Sequence, residues 1–583
     1  MGDERVIRVT TRRAWRAAGL LLPAAALLLL AYVLPLADVV RDSLQVNGAV
    51  SLDNYRRLFS TPVFASIAWR TVRLAAITTA CCLLLGYPLA YWLARMQSRW
   101  RPVLLLLVTV PFFTSVLIRS YAWVAILGNN GLVNRTLEWA GLVDGPIRLV
   151  FNETGTLIGM VQVQLPLMVL TLYAVMARFD RALLRAAGSL GADPVSAFWS
   201  VFLPLSRPGV VAGASLVFTS CLGFYTTPAM LGGPGQYVIT QAIEARVTSM
   251  SDAGTASAQA TTLLVTTAVL VLLFRRRLGL VLPAGDQDVP EAAARRRDWP
   301  APLAAIARRV ARAITPVRNV FLTGIAVATL ILLVLPLLVI VPLAFSSAPF
   351  LTFPPPGFSL RWFQAYLSDP VWMRATWFSA AVASAGAMMA TMAGVLSAWA
   401  LARLGPRWAG GVYLLWASPL VVPHLVIAAS LYFMLAKLRL VGHPLTFVVI
   451  YAVFGLPYVL VVVSAAIQRL DPMLEQAAAV LGASPLRAWW DVVLPLLLPA
   501  LLSGFVFAFL AGFDDLVAGL FLSSPRAYTL PLRMWDDVRQ EISPRIAAVA
   551  VLFLGGAAIL LPAFAAIRAM LRRAPATEAS LAR

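Results

Sequence analysis

Residues 471–504 read DPMLEQAAAVLGASPLRAWWDVVLPLLLPALLSG, a moderately polar stretch between two long apolar runs. The same pattern stands 291 positions earlier, at 180–213, as DRALLRAAGSLGADPVSAFWSVFLPLSRPGVVAG. The two align without a gap, and 16 of the 34 positions are identical. The identities include Asp180/Asp471, Ala186-Ala187/Ala477-Ala478, Gly191/Gly482, Pro194/Pro485, Trp199/Trp490, Leu203-Pro204/Leu494-Pro495, Pro208/Pro499 and Gly213/Gly504. A polar loop repeated this closely in an apolar chain needs a reason that lipid alone does not give.

The chain has 583 residues, 60% of them hydrophobic and 13% charged, with mean hydropathy +0.82. Soluble domains are about 45–50% apolar and about 25% charged, so the composition indicates an all-α polytopic membrane protein. A net charge of +21 would suggest nucleic acid in a soluble protein. Here the basic residues crowd short loops beside apolar spans, which is the pattern of loops kept on the inner side. Nucleic acid is thereby excluded as a partner, and the lipid bilayer takes its place. Cys81, Cys82 and Cys221 lie in or beside apolar runs without metal-type spacing, so neither a disulfide scaffold nor a zinc site is expected.

The run 20–40 follows five arginines and, at about 1.5 Å per residue, can cross a ~30 Å hydrocarbon core. It is too long for a signal-peptide core and lacks a small-residue cleavage site, so it reads as a span. Further spans are expected at 67–94, 102–127, 156–177, 209–230 and 258–274, then at 320–345, 376–402, 411–436, 445–468, 499–522 and 546–570. Six spans therefore lie on each side of a basic, proline-containing stretch. With the N-terminus in the cytoplasm, the inner segments hold 30 of the 47 basic residues, and both copies of the repeated loop face inward. The expected organisation is a cytoplasmic N-terminus (1–19), a first half (20–274), a cytoplasmic linker (275–319), a second half (320–571) and a cytoplasmic tail (572–583). Within the linker, 303–314 alternates Arg308, Arg309 and Arg312 with Ile306, Val310 and Ile314. That pattern suits either a surface-lying basic helix or a solvated joiner.

Each loop copy opens with an alanine- and leucine-rich helical patch behind a capping aspartate, Asp180 or Asp471. Gly191 or Gly482 ends the patch, and Pro194 or Pro485 opens a second short helix. The product is a helix–glycine–helix hairpin held outside the bilayer. It is either an interfacial amphipathic element or a knob for a partner, and its duplication points to two like partner surfaces.

The pattern resembles the E-A-A-x-x-x-G loop of binding-protein-dependent ABC transporter permeases, in both copies. The resemblance places the motif on Arg185, Ala186, Ala187 and Gly191 and on Gln476, Ala477, Ala478 and Gly482. Arginine and glutamine replace the leading glutamate, with Glu475 one residue before the latter. In that family the loop is the coupling helix, which docks on an ATPase subunit. VPFFTSVLIRSYAWVAILGNNGLVN at 110–134 and FYTTPAMLGGPGQ at 224–236 look like the first permease subunit of spermidine/putrescine importers. GFDDLVAGLFLSSPRAYTLPLRMWDDVRQEISPRIAAVA at 512–550 looks like the second subunit. PLVVPHLVIAASLYF at 419–433 belongs with it, with His424 where that family usually has an acidic residue. The resemblance thus implies two permeases fused through the linker, each a six-helix half with its own coupling hairpin, in a bacterial inner membrane. It further implies two ABC ATPase subunits, most simply a homodimer, and an extracytoplasmic substrate-binding protein. The sole lysine, Lys437, is followed by leucine, so the chain has no P-loop and ATP with its Mg would bind on the partner subunits. No cofactor or metal is expected on this chain.

Charges within spans cost about 2.5–3.5 kcal/mol on insertion scales and are functional candidates. Asp514 and Asp515 in the run 499–522 suit a translocation path for a cation, or a pairing with Arg119; both readings stand. Arg119 lies near the outer end of its span and is expected to snorkel. Phe224, Tyr225 and Trp535 either stack on an amine or belong to the interfacial aromatic belt. His424 follows Pro423 inside a span with no other metal-type ligand at ligand spacing. The expected activity is ATP-driven import of polyamines or a related small organic cation. Ferric iron, thiamine or an aminophosphonate are alternative substrates, and an ion-coupled secondary transporter is the alternative class.

Overall fold

The computed structural model describes residues 19–191, 194–248, 252–274, 301–540 and 543–556. Among these residues nine helices are long and apolar enough to cross a membrane. In the first half they are α1 (Gly19–Ser43), α2 (Pro62–Arg95), α3 (Glu153–Met176), α4 (Phe198–Leu222) and α5 (Ala253–Leu273). In the second they are α6 (Val320–Ala344), α7 (Pro370–Leu401), α8 (Pro444–Ile467) and α9 (Leu486–Phe513). Paired strand among the described residues is one short antiparallel ribbon, Gln45–Val46 with Ala49–Val50. The chain is an all-α, multi-pass membrane protein, as its composition requires.

The structure corrects several expected spans. The segments 102–127 and 411–436 are not straight helices but bent pairs. Arg101–Phe112 turns by 97° into Val116–Trp139, and Trp408–Leu420 turns by 90° into His424–Lys437. Proline explains both bends, because it has no N–H to donate and forces the chain out of helix. Pro111 and Pro419 sit in 3₁₀ turns, Val110–Phe113 and Ser418–Leu420, and the chain is extended at Thr114 and Pro423. The expected spans 209–230 and 499–522 are shifted: α4 and α9 begin earlier and stop at Leu222 and Phe513, before short helices Thr226–Leu231 and Val517–Leu522. The segment 303–314 is no separate surface helix, since Ala301–Ala344 runs through it without a break. The last expected span is described only as Arg545–Gly556; its remainder, the linker residues 275–300 and the two terminal segments lie outside the described residues.

Contacts group the chain into two compact units. One is built on α7, α8 and α9 and also holds α1. The other is built on α2, α3 and α4 and holds α6 as far as Val339. The leading helix of each half is therefore grouped with the bundle of the other half. Within the first unit, Lys437 Nζ lies 2.7 Å from the carboxylates of both Asp38 and Asp42 on α1. Within the second, Gln162 Nε2 on α3 donates to the Leu333 carbonyl of α6 at 3.1 Å.

Small residues let the three central helices of each unit approach closely, which lipid-embedded helices need in the absence of a hydrophobic drive. Gly86 on α2 and Gly394 on α7 occupy matching places. A Cβ added there would stand 3.1 Å from Met168 Cγ on α3, or 2.7 Å from Val459 Cγ1 on α8.

Candidate functional site

Over their described residues the two repeated stretches fold alike. Asp180 caps the helix Arg181–Ser189 by accepting from Ala182 N at 2.8 Å, and Asp471 caps Pro472–Val480 by accepting from Met473 N at 2.9 Å. Both helices end in a glycine with positive φ, +82° at Gly191 and +85° at Gly482. That backbone is strained for any residue with a Cβ. Pro194 and Pro485 open the four-residue helices that follow, and five-residue π-helical turns, Phe198–Phe202 and Trp489–Val493, lead from these into α4 and α9. The wider turn places Leu203 N on the Phe198 carbonyl and Leu494 N on the Trp489 carbonyl, directly before a proline that can donate nothing.

The hairpins present apolar side chains outward. Leu190 is 88% exposed at one tip, and Val480 and Leu481 are each 88% exposed at the other. Of the motif positions, Arg185, Ala186, Gly191, Gln476, Ala477 and Gly482 are exposed, whereas Ala187, Ala478 and Glu475 are half-buried. Glu475 therefore turns toward its own bundle, where Arg403 Nη2 reaches both carboxylate oxygens at 2.7 and 2.9 Å. It does not take the outward place of the missing leading glutamate.

The acidic pair lies in a helix break, not inside a continuous span. Asp514 caps the C-terminus of α9, and Asp515 accepts from Ala518 N at 2.6 Å, which starts the next short helix. The Asp515 carboxylate thus caps the helix that resumes after the break, which apolar periodicity alone does not reveal. Asp515 is buried, with 4% of its side chain exposed, and its Oδ1 stands 3.8 Å from His424 Nδ1. That distance is too long for a direct hydrogen bond. The imidazole stacks on Phe454 at 4.2 Å between centroids and 11° between planes. His424 opens the second arm of a bent pair, so two broken helices bring their ends together here. Sequence reasoning left His424 out of the site because its partner is 91 residues away; its one local signal is a histidine after proline in an apolar run.

The remaining candidates separate. Arg119 does not snorkel: it is 4% exposed within Val116–Leu127, a consequence of the bend that turns this helix inward. Tyr225 and Trp535 are each 4% exposed, the former at the start of Thr226–Leu231 and the latter within Leu530–Gln540, while Phe224 is half-buried. The Arg539 guanidinium lies 5.9 Å from the Trp535 ring centroid. In the helices beyond the breaks, burial pushes the carboxyls of Glu244 and Asp536 above the usual carboxylate range.

A family model described as "Binding-protein-dependent transport system inner membrane component" matches this chain twice, at residues 83–279 and 390–574. The spermidine/putrescine transport system permease protein PotB of Salmonella typhimurium is 35% identical over 235 residues, 40% of this chain and 82% of that protein. The putrescine transport system permease protein PotI of Escherichia coli is 35% identical over 232 residues, 39% of this chain and 82% of its own. A solved bacterial alginate ABC transporter, in complex with an alginate pentasaccharide-bound periplasmic protein, aligns over 46% of this chain and 96% of its own at 20% identity and TM-score 0.41.

Proposed function

Because the chain belongs to the family of binding-protein-dependent transport system inner membrane components, in two copies, we propose that it forms the whole translocation path of an ATP-driven importer for polyamines or a related small organic cation. Similar proteins named as permeases for spermidine and putrescine support the substrate class. In this reading residues 20–274 and 320–571 are the two permease domains, and 275–319 joins them on the same side as both termini.

The observation that carries the reading is the pair of matching hairpins with exposed apolar tips. Leu190 in one copy and Val480-Leu481 in the other stand at the C-terminus of an aspartate-capped helix. Large apolar side chains held out of the bundle on a rigid element mark an interaction surface. Each hairpin seats one of two ATPase subunits, which bind the ATP and Mg that this chain has no P-loop to hold. ATP binding draws the hairpins together, and the π turns pass that motion into α4 and α9. A soluble substrate-binding protein delivers cargo on the opposite face.

In the path, Asp515 and Asp514 supply the negative charge that a dehydrated ammonium group needs. His424 and the ring of Phe454 behind it form the wall facing Asp515. The test is ATP-dependent uptake of radiolabelled spermidine into proteoliposomes holding this chain, its co-expressed ATPase and the binding protein. Uptake that unlabelled putrescine suppresses and ferric citrate or thiamine does not supports the reading. Uptake with no ATP requirement overturns the class, and competition by iron or thiamine alone overturns the substrate.

A further inference from the structure

A second repeat, at a spacing of 308 positions, leads into α2 and α7. Residues 50–63 read VSLDNYRRLFSTPV, and residues 358–371 read FSLRWFQAYLSDPV. Ser51 Oγ accepts from Asp53 N at 3.0 Å, and Ser359 Oγ accepts from Arg361 N at 3.2 Å. The short helices Asp53–Ser60 and Arg361–Leu367 follow, and then Pro62 and Pro370 open α2 and α7. Each short helix is fastened by one buried side. Asn54 Nδ2 donates to the carbonyls of Ser43 and Gln45 at 3.2 and 3.1 Å, and the Tyr366 hydroxyl lies 2.8 Å from Thr376 Oγ1.

The side of each helix that faces away from the protein is divided in two. Leu52 and Phe59 are 58% and 62% exposed, and Leu360 and Leu367, at the same places, are 57% and 56% exposed. A spacing of seven puts each pair on one edge of its helix. Beside that edge runs an exposed polar one, Arg56 and Ser60 in the first half and Arg361, Gln364 and Ser368 in the second. A surface that docks a protein has an apolar centre ringed by polar groups. Here the apolar edge lies between the buried side and the polar edge, which is the layering of a helix lying at a membrane surface.

Both segments stand at the membrane face opposite the second hairpin. The 32 residues of α7 span about 48 Å, and its far end meets that hairpin through Arg403 and Glu475. Lys437 holds Asp42 at the end of α1 and leads through 438–443 into α8, whose other end reaches the same hairpin. Trp69 and Trp377, again 308 apart, are exposed in the third turn of α2 and of α7. Exposed tryptophan on a spanning helix marks the depth of the lipid interface. We propose that 50–60 and 358–368 are lipid anchors lying in the headgroup layer of that face. Leu52, Phe59, Leu360 and Leu367 are immersed among the acyl chains, and the polar edges face water and headgroups. The anchors hold the starting ends of α2 and α7 at a fixed depth.

Fluorescence quenching tests this in a chain with Cys81, Cys82 and Cys221 replaced by serine. Single cysteines labelled with the fluorophore NBD are placed in liposomes that contain phosphatidylcholine with a doxyl group near the top of its acyl chain. Lipid quenching should be about threefold or more stronger at Leu52→Cys, Phe59→Cys, Leu360→Cys and Leu367→Cys than at Arg57→Cys and Arg361→Cys. Soluble iodide should reverse that order. Equal lipid quenching at the apolar and polar positions of either half overturns the anchors. So does protection from iodide that appears only when the binding protein is added, because the surface would then dock that protein. The unaltered chain supplies a second measurement that does not depend on the folding of labelled variants. A phospholipid carrying a photoactivatable diazirine should form adducts within 50–60 and within 358–368, and their absence from either segment overturns the anchors as well.

Discussion

The two halves share one backbone and differ in where they keep charge. Helix bounds from the third membrane helix onward match at a constant spacing: Glu153–Met176 with Pro444–Ile467, Arg181–Ser189 with Pro472–Val480, and Leu203–Leu222 with Leu494–Phe513. Caps, positive-φ glycines and π turns are duplicated too. At the helix break that follows, the first half has Gly223-Phe224 where the second has Asp514-Asp515. On the hairpin it has Leu184 where the second has Glu475. Between the helix Val116–Leu127 and the next span, the first half has 128–152, with the helix Leu132–Trp139, where the second half, after His424–Lys437, needs only 438–443. Features set by backbone chemistry are kept in both copies, whereas a charged group facing the protein interior is carried by one. A duplicated frame therefore houses a one-sided electrostatic site.

The largest expected effect tests that one-sidedness. Asp514→Asn combined with Asp515→Asn should cut the initial rate of spermidine uptake tenfold or more without loss of assembled protein. Phe224→Leu, in the equivalent place of the first half, should cost less than threefold. Equal losses would break the comparison. The shared features predict equality instead. Valine at Gly191 or Gly482 puts a β-branched residue at φ above +80°, a strain of about 1–3 kcal/mol. Both variants should lower substrate-stimulated ATP hydrolysis by about tenfold, and by the same factor within twofold.

A smaller effect distinguishes how the leading helices are held. Lys437 clamps α1 through two carboxylates, whereas Gln162 holds α6 through a neutral hydrogen bond. Lys437→Met should lower thermal stability in detergent by about 1 kcal/mol or less, and high salt should erase the difference. Gln162→Leu should give a loss that salt does not change. The smallest effect is expected from cutting the chain between Asp286 and Glu291. Co-expressed halves should transport within about twofold of the intact chain, and complete loss would give the linker a role beyond joining.

Much of this frame was legible in the residues. Asp180, Gly191 and Pro194, with their partners at 471, 482 and 485, each act through local backbone chemistry, so their spacing predicts cap, terminus and restart without tertiary information. The prolines at 111, 419 and 423 carried the bends as well, but a hydropathy reading averages over them and counts one straight span. The helix ends at Leu222 and Phe513 were hidden for a related reason: apolar residues continue past the break, and a buried carboxylate that caps a new helix looks like one inside a span. His424 beside Asp515, and Arg403 on Glu475, depend on packing between elements far apart in sequence. Neither pairing has a periodicity or a spacing to announce it. The same holds for the burial of Trp535 and Arg119, which depends on how their helices pack.

Cross-linking from the hairpin tips tests the central claim most directly. In a chain with Cys81, Cys82 and Cys221 replaced by serine, single cysteines at Leu190 and at Leu481, each 88% exposed, would carry a short bifunctional reagent in membranes that also contain the co-expressed ATPase. Trp139→Cys, 89% exposed in the insertion of the first half, is the control. Both hairpin cysteines should yield an adduct with the mass of this chain plus one ATPase subunit, in amounts that change with ATP, and the control should yield none. Absence of that adduct from both hairpins, in membranes where ATP-driven uptake proceeds, would contradict the assignment of these loops as the ATPase docking surfaces.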